Sequence, residues 1–167
     1  YMNSRPQTDG EERDFLEALE RQMEWADVVV VADYGHGLFS QAAVDLLCRK
    51  ARFLAVNAQT NAGNRGFNLI SKYHRADYIS IDTPEAQLEC RDKMLPVEEL
   101  IRQIAQRTNC QRLTITMGRQ GNVYLCGDNI HHIPVLSLKV VDTIGAGDAL
   151  LSVCSCAAAR DFSPRLT

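Results

Sequence analysis

The chain has 167 residues, 46% hydrophobic and 23% charged. That is average globular composition in a length that fits one domain, and it excludes a disordered tail, a collagen-like repeat and a disulfide miniprotein. The formal charge of −3, from 21 acidic and 18 basic side chains, gives no general attraction to phosphate backbones, so nucleic acid is not an expected partner.

In chain order, Thr8-Asp9-Gly10-Glu11 has the form of a capping box, with Phe15, Leu16, Leu19 and Met23 following at helical spacing toward an end near Trp25. Met23 and Trp25 are both expected in the core. The run Asp27 to Asp33 has no polar alternation, as in a parallel strand buried on both faces. Gly35 and Gly37 punctuate its end. Ser40 is placed to cap a helix carrying Val44, Leu46 and Leu47, and Arg52 to Val56 gives a second strand, completing a βαβ unit. An Asn-, Gln- and Gly-rich loop fills 57–68.

Tyr78 to Ile81 is the third strand, and Pro84 suits the first turn of the helix after it. Residues 96–108 carry an amphipathic helix, and Arg112 to Thr116 is the fourth strand. Asn122 to Cys126 and Ile130 to Val135 flank Gly127-Asp128-Asn129, a hairpin signal. A small-residue helix runs from Ala146 to about Arg160. Alternating strands and helices imply an α/β layered fold, with ligands at the carboxyl ends of the parallel strands.

The six cysteines lack the C-x-x-C spacing of a zinc site and the density of a secreted scaffold. They fit reduced thiols in a cytoplasmic protein, with Cys154 and Cys156 as packing residues. No apolar run approaches the roughly 20 residues of a membrane span, and no signal-peptide apolar region opens the chain, so no membrane partner is expected.

The most informative segment is Asp142-Thr143-Ile144-Gly145-Ala146-Gly147-Asp148, directly before a helix. Glycines there let backbone approach a ligand, and the free N–H groups of a first helical turn favour an anion. Asp148 in that turn is within reach of a hydroxyl attacking a phosphoryl group, as a general base must be. A glycine loop with an acidic residue at a helix start is the plainer alternative.

The segment resembles the D-T-x-G-A-G-D signature of the ribokinase/PfkB carbohydrate kinases at all six fixed positions, a match with a chance frequency on the order of 10⁻⁷ per start position. The resemblance implies a three-layer ribokinase-like fold, a mainly parallel central sheet with helices on both faces and a late antiparallel hairpin. It implies ATP-dependent phosphoryl transfer to a sugar or sugar phosphate. Asp148 would be the base, the amides of Gly145, Ala146 and Gly147 would stabilise the transferring phosphate, and Asp142 and Thr143 would join the nucleotide contacts.

Thr116-Met117-Gly118-Arg119-Gln120-Gly121 leaves a strand as T-x-G-x-x-G, so Thr116, Gly118 and Gly121 are nucleotide-binding candidates. Where the family has N-x-x-E, this chain has Asp82-Thr83-Pro84-Glu85. Asp82 and Glu85 suit Mg²⁺ held partly through water, or form a helix cap with its third residue. A monovalent cation is a further candidate cofactor.

Asp33-Tyr34-Gly35-His36-Gly37 resembles the D-Y-G-x-G stretch of the heptose-7-phosphate kinases of this family, although His36 alone suits a solvated loop. Asn57 stands where those relatives have aspartate. With Gln59, Asn61, Asn64 and Arg65 it offers hydrogen bonds to a sugar or its phosphate, or closes Asx turns. Asp33, Gly35, Asn57, Asn61 and Arg65 are therefore the substrate-binding candidates. His131 and His132 fall in a strand, where neighbours face opposite sides and share no metal.

Family chains are usually nearly twice this long. Residues 1–167 are thus expected to form one partial kinase domain without the N-terminal lid and sugar-binding half or the extreme C-terminal part, and with little sugar kinase activity in isolation. A homodimer and a fused transferase domain are both compatible with the resemblance. Two other functions stay open: a non-catalytic nucleotide-binding module, and a related kinase acting on a nucleoside or small alcohol.

Overall fold

The computed structural model describes residues 7–60, 63, 66–135 and 145–163. Helix α1 (Asp9–Met23) starts at the expected capping box: Thr8 N–H donates to Glu11 Oε2 at 2.9 Å, and Glu11 N–H donates to Thr8 Oγ1 at 3.3 Å. Met23 is buried as expected, but Trp25 is 72% exposed. The helix ends before Trp25, so the period that carries Met23 into the core no longer sets its direction.

Strand β1 (Val29–Asp33), helix α2 (Gln41–Lys50) and strand β2 (Leu54–Ala58) form the βαβ unit, with Ser40 Oγ capping α2 through the Ala43 N–H. Strand β3 (Tyr78–Asp82), helix α3 (Thr83–Cys90), helix α4 (Val97–Thr108) and strand β4 (Arg112–Thr116) follow. Strands β5 (Asn122–Cys126) and β6 (Asn129–Ile133) make the hairpin, and helix α5 (Ala146–Ala159) is the last described element. The hairpin turn is only Gly127-Asp128, because Asn129 already pairs with Cys126; Gly127, at φ 57°, takes the first turn position where the twist of paired strands favours glycine.

The six strands lie in chain order across one sheet. Strands β1 to β4 are mutually parallel, and β5 and β6 are antiparallel to their neighbours. Alternation assigns each residue a face. Leu54, Val56, Ile79, Ile81, Leu113 and Ile115 meet Val44 and Leu47 of α2 and Ile101 and Ile104 of α4 in the larger core. On the opposite face, Ala55, Tyr78 and Tyr124 meet Leu151, Cys154 and Ala158 of α5. Leu54, Ile79 and Leu113 are wholly buried, and truncating such a side chain to alanine costs about 2–5 kcal/mol.

Two expectations about burial are corrected. Strand β1 is not buried on both faces: it lies at one edge of the sheet formed by the described residues, and Val30, on the face that α5 covers only partly, is 42% exposed. Cys154 packs in the core, but Cys156 two residues on is exposed, since side chains at that offset leave a helix in different directions. All six cysteines are free thiols.

Register brings the strand ends together. Asp33 is level with Ala58 and Asp82 with Thr116, so the loops leaving β1, β2, β3 and β4 emerge along one edge of the sheet.

Candidate active site

The amino end of α5 stands over that edge. Gly145 caps the helix at φ 76°, a left-handed conformation that disfavours any other residue, and a Cβ built on Gly145 or Gly147 would meet nothing within 4 Å. The helical ladder begins where Ala149 N–H donates to the Gly145 carbonyl at 2.9 Å, so the amides of the preceding turn have no intrahelical acceptor. Among the described residues nothing crowds the glycines of this first turn, so its N–H groups are placed as an anion would need them. Asp142 and Thr143 lie outside the described residues.

Asp148, in this first turn, is half-buried. Tyr34 Oη–H donates to its Oδ2 at 3.0 Å, and Gln59 Nε2–H donates to its Oδ1 at 3.3 Å. The loops after β1 and β2 thus converge on one carboxylate. The hydrogen bond to Asp148, then burial, then the carboxylate's charge hold the Tyr34 phenol above the usual tyrosine range. Motif reading missed this role of Tyr34. The signal available was its place in the D-Y-G stretch just beyond a strand's carboxyl end, but nothing in the sequence pairs it with Asp148.

Asp33 is only 3% exposed and lies beneath the loops. Its carboxylate accepts from Gly35 N–H at 2.9 Å and Tyr73 Oη–H at 2.8 Å, and it forms an ion pair with Lys72. Its backbone carbonyl accepts from Gln59 N–H at 2.8 Å and Asn68 Nδ2–H at 2.9 Å. Gly35, at φ 68°, lets the chain fold back onto the carboxylate. Burial first, then the charge of Asp33, pushes the Tyr73 phenol upward, so it remains a donor. Asp33 is placed to anchor the loops that carry Tyr34 and Gln59.

Asn57 is 7% exposed, on the sheet face that bears Ala55. Its Nδ2–H donates to the Ser80 carbonyl at 2.6 Å, and its buried Oδ1 has no hydrogen-bond partner. Aspartate would have no proton to offer Ser80 once ionised, which accounts for asparagine here. Asn61, Asn64 and Arg65 lie outside the described residues. His36 is exposed, stacked 6.4 Å from the Tyr34 ring. His131 packs near Tyr124, whereas His132 Nε2 lies 3.2 Å from Glu98.

Asp82 and Glu85 form a reciprocal capping box at the start of α3. Glu85 N–H donates to Asp82 Oδ1 at 2.8 Å, and Asp82 N–H donates to Glu85 Oε2 at 2.9 Å. Thr60 N–H donates to Glu85 Oε1 at 3.1 Å, tying the β2 loop to α3. Burial pushes the Glu85 carboxyl up to about 7, with the Asp82 charge adding to the rise and hydrogen bonds from Asp82 and Thr60 opposing it. Among the described residues no three His, Cys, Asp or Glu side chains gather as a metal cage. An exposed carboxylate beside a desolvated one fits a Mg²⁺ ion held through water better than an all-protein cage.

The loop after β4 carries two glycines with different reasons for being glycine. Gly118, at φ 56°, faces open space, and a Cβ added there would meet nothing within 4 Å. Gly121, at φ 88°, is buried, and a Cβ there would lie 2.1 Å from the Ile133 carbonyl oxygen. Gly121 therefore permits β6 to pass. Thr83 Oγ1–H donates to the Thr116 carbonyl at 3.0 Å, joining this loop to α3.

A mainly parallel sheet between helical layers, with glycine-rich turns at its strand ends, defines an α/β architecture of ribokinase-like type. Residues 8–161 match the model of the pfkB family carbohydrate kinases, and the chain belongs to that family. The bifunctional protein HldE of Citrifermentans bemidjiense is 27% identical over 133 residues, covering 77% of this chain and 27% of the relative. A ribokinase of Lactococcus lactis is 34% identical over 74 residues, 43% of this chain and 23% of the relative. The solved structure of Escherichia coli phosphofructokinase-2 in complex with substrates and products superposes with a TM-score of 0.74 at 15% identity, covering 96% of this chain and 53% of that one. The chain thus spans under a third of these relatives' length and about half of the solved kinase.

Proposed function

We propose that this chain forms the nucleotide and phosphate side of an ATP-dependent kinase that phosphorylates a hydroxyl of a sugar or sugar phosphate. The carrying observation is Asp148, held between two strand-end loops in the first turn of α5, whose leading amides have no intrahelical acceptor. In this reading Asp148 accepts the proton of the acceptor hydroxyl, and the amides stabilise charge on the transferring phosphate. Thr116 and Gly118 bind nucleotide, with Gly121 supporting their turn, and Asp142 and Thr143 join them. Asp82 and Glu85 would hold a hydrated Mg²⁺. When bound, the ion neutralises phosphate charge.

In this reading Asn57, Asn61 and Arg65 are the candidates for binding the acceptor, with Asp33 and Gly35 shaping the loop after β1. The D-Y-G stretch makes heptose 7-phosphate the first acceptor to try. Phosphoryl transfer depends on in-line positioning and exclusion of water, so groups outside residues 1–167 complete the acceptor site and the isolated chain turns over sugar poorly.

Titration calorimetry with ATP and Mg²⁺ tests the nucleotide reading: saturable binding by the folded chain is expected, and none by demonstrably folded protein overturns it. A coupled assay against sugars and heptose phosphates tests the partition of the site. Sugar-dependent turnover by the isolated chain near a typical enzymatic rate of about 10 s⁻¹ would refute it.

A further inference from the structure

We infer that Tyr34 is a positioning residue for Asp148, pinning Oδ2 and leaving Oδ1 as the oxygen that receives the acceptor's proton. The inference rests on the proposed role of Asp148 as base and deepens it by naming the atom. The two donors on the carboxylate are unequal. The phenol bond is 3.0 Å long, whereas the Gln59 amide bond to Oδ1 is 3.3 Å. A hydroxyl entering the site displaces the longer, weaker contact at lower cost.

The surroundings support the same division. Tyr34 has only two side-chain torsions to fix and stacks on His36 with ring planes 16° apart. Gln59 is held by its backbone, since its N–H donates to the Asp33 carbonyl at 2.8 Å and its carbonyl accepts from Asn68 Nδ2–H at 3.1 Å. The loop's position is thus fixed by backbone contacts that do not involve Oδ1.

The chemical step balances as follows. The acceptor O–H proton passes to Oδ1, and the acceptor oxygen bonds to the γ-phosphorus as the bond to the bridging oxygen breaks. ADP leaves with that electron pair. Tyr34 keeps its proton throughout, and its task is to stop the carboxylate rotating so that Oδ1 stays in line.

Two measurements test this. In the first, tyrosinate formation is followed by ultraviolet titration of the chain, of Tyr34→Phe and of Asp148→Asn; the phase missing in Tyr34→Phe belongs to Tyr34. That phase is expected to fall in Asp148→Asn toward the ordinary tyrosine value of 10.0. An unmoved phase overturns the contact.

In the second, the same variants are assayed in a full-length kinase carrying these residues. Tyr34→Phe is expected to lower kcat by about ten- to a hundredfold, with the KM for ATP changed by less than about twofold. Unchanged kcat in Tyr34→Phe, with Asp148→Asn inactive, overturns the inference and leaves the base in place. Full activity in Asp148→Asn overturns both, whatever the titration shows. Tyr34 is 42% exposed, so its variant is expected to fold, and its melting curve confirms this.

Discussion

Replacing Gly121 by alanine should damage the fold, whereas the same change at Gly118 should damage ligand binding. At Gly121 the backbone sits at φ 88°, ψ −139°, a region essentially reserved for glycine, where another residue costs about 1–3 kcal/mol. The new Cβ would also lie 2.1 Å from the Ile133 carbonyl oxygen and 3.1 Å from the Pro134 Cα. Ordinary carbon–oxygen contact is about 3.3 Å. Strand β6 would therefore retreat by roughly an ångström from β5, where Asn122 pairs with Ile133, and such overpacking adds about 1–3 kcal/mol. The sum is about 2–6 kcal/mol, a large share of a typical domain's stability. Gly118→Ala meets open space and bears only the left-handed penalty of about 1–2 kcal/mol. Urea unfolding of the two variants, with ATP calorimetry on each that folds, separates them. Equal destabilisation would refute the steric account, and undiminished ATP affinity in Gly118→Ala would remove that turn from the nucleotide site.

Asp148→Asn in a full-length kinase should reduce turnover by about 10²–10⁴-fold with ATP affinity nearly intact, because the amide keeps the shape without the base; steady-state kinetics beside calorimetry checks this, and a retained rate excludes Asp148 from the mechanism. Asn57→Asp should destabilise the protein by about 3–5 kcal/mol at neutral pH, since a buried carboxylate would face the Ser80 carbonyl without a donor. Protonation restores the donor, so thermal melting should show the penalty shrinking in acid; a constant difference would contradict the argument. Glu85 is pushed up to about 7 from 4.5, so its contribution to stability is full below pH 4.5 and is lost as pH rises through 7. Glu85→Gln should flatten stability across that interval in denaturant titrations, and an unchanged slope would show that Glu85 does not cause it.

The sheet was legible because its strands are short apolar runs bounded by turn residues, and Arg112 to Thr116 forms as expected. Capping motifs were equally readable, since Thr8 to Glu11 and Asp82 to Glu85 close through local bonds. Exposure was not. An unalternating run such as Val28 to Val31 does not tell an inner strand from an outer one, and Trp25 depends on where its helix stops. The site divides in the same way. The Gly145 to Asp148 turn is encoded within four residues, whereas the pairing of Asp148 with Tyr34 depends on packing between distant elements. Asp33 was visible as a motif residue but not as the buried partner of Lys72 and Tyr73, which come from the far side of the long loop.

The chain-order sheet also bears on how the site comes into being during synthesis. Each strand pairs with its immediate predecessor, so the growing sheet always offers the next strand an edge, and no strand pairing reaches as far along the chain as the contacts to Asp148. Those contacts span 114 residues to Tyr34 and 89 to Gln59. Helix α5 emerges from the ribosome after every strand it covers. A chain stalled before residue 145 would therefore hold the loop after β4 and its anchored Asp33 while lacking the amides and the carboxylate proposed to act on phosphate. The contacts that hold Asp148 form in one late docking event and do not accumulate strand by strand.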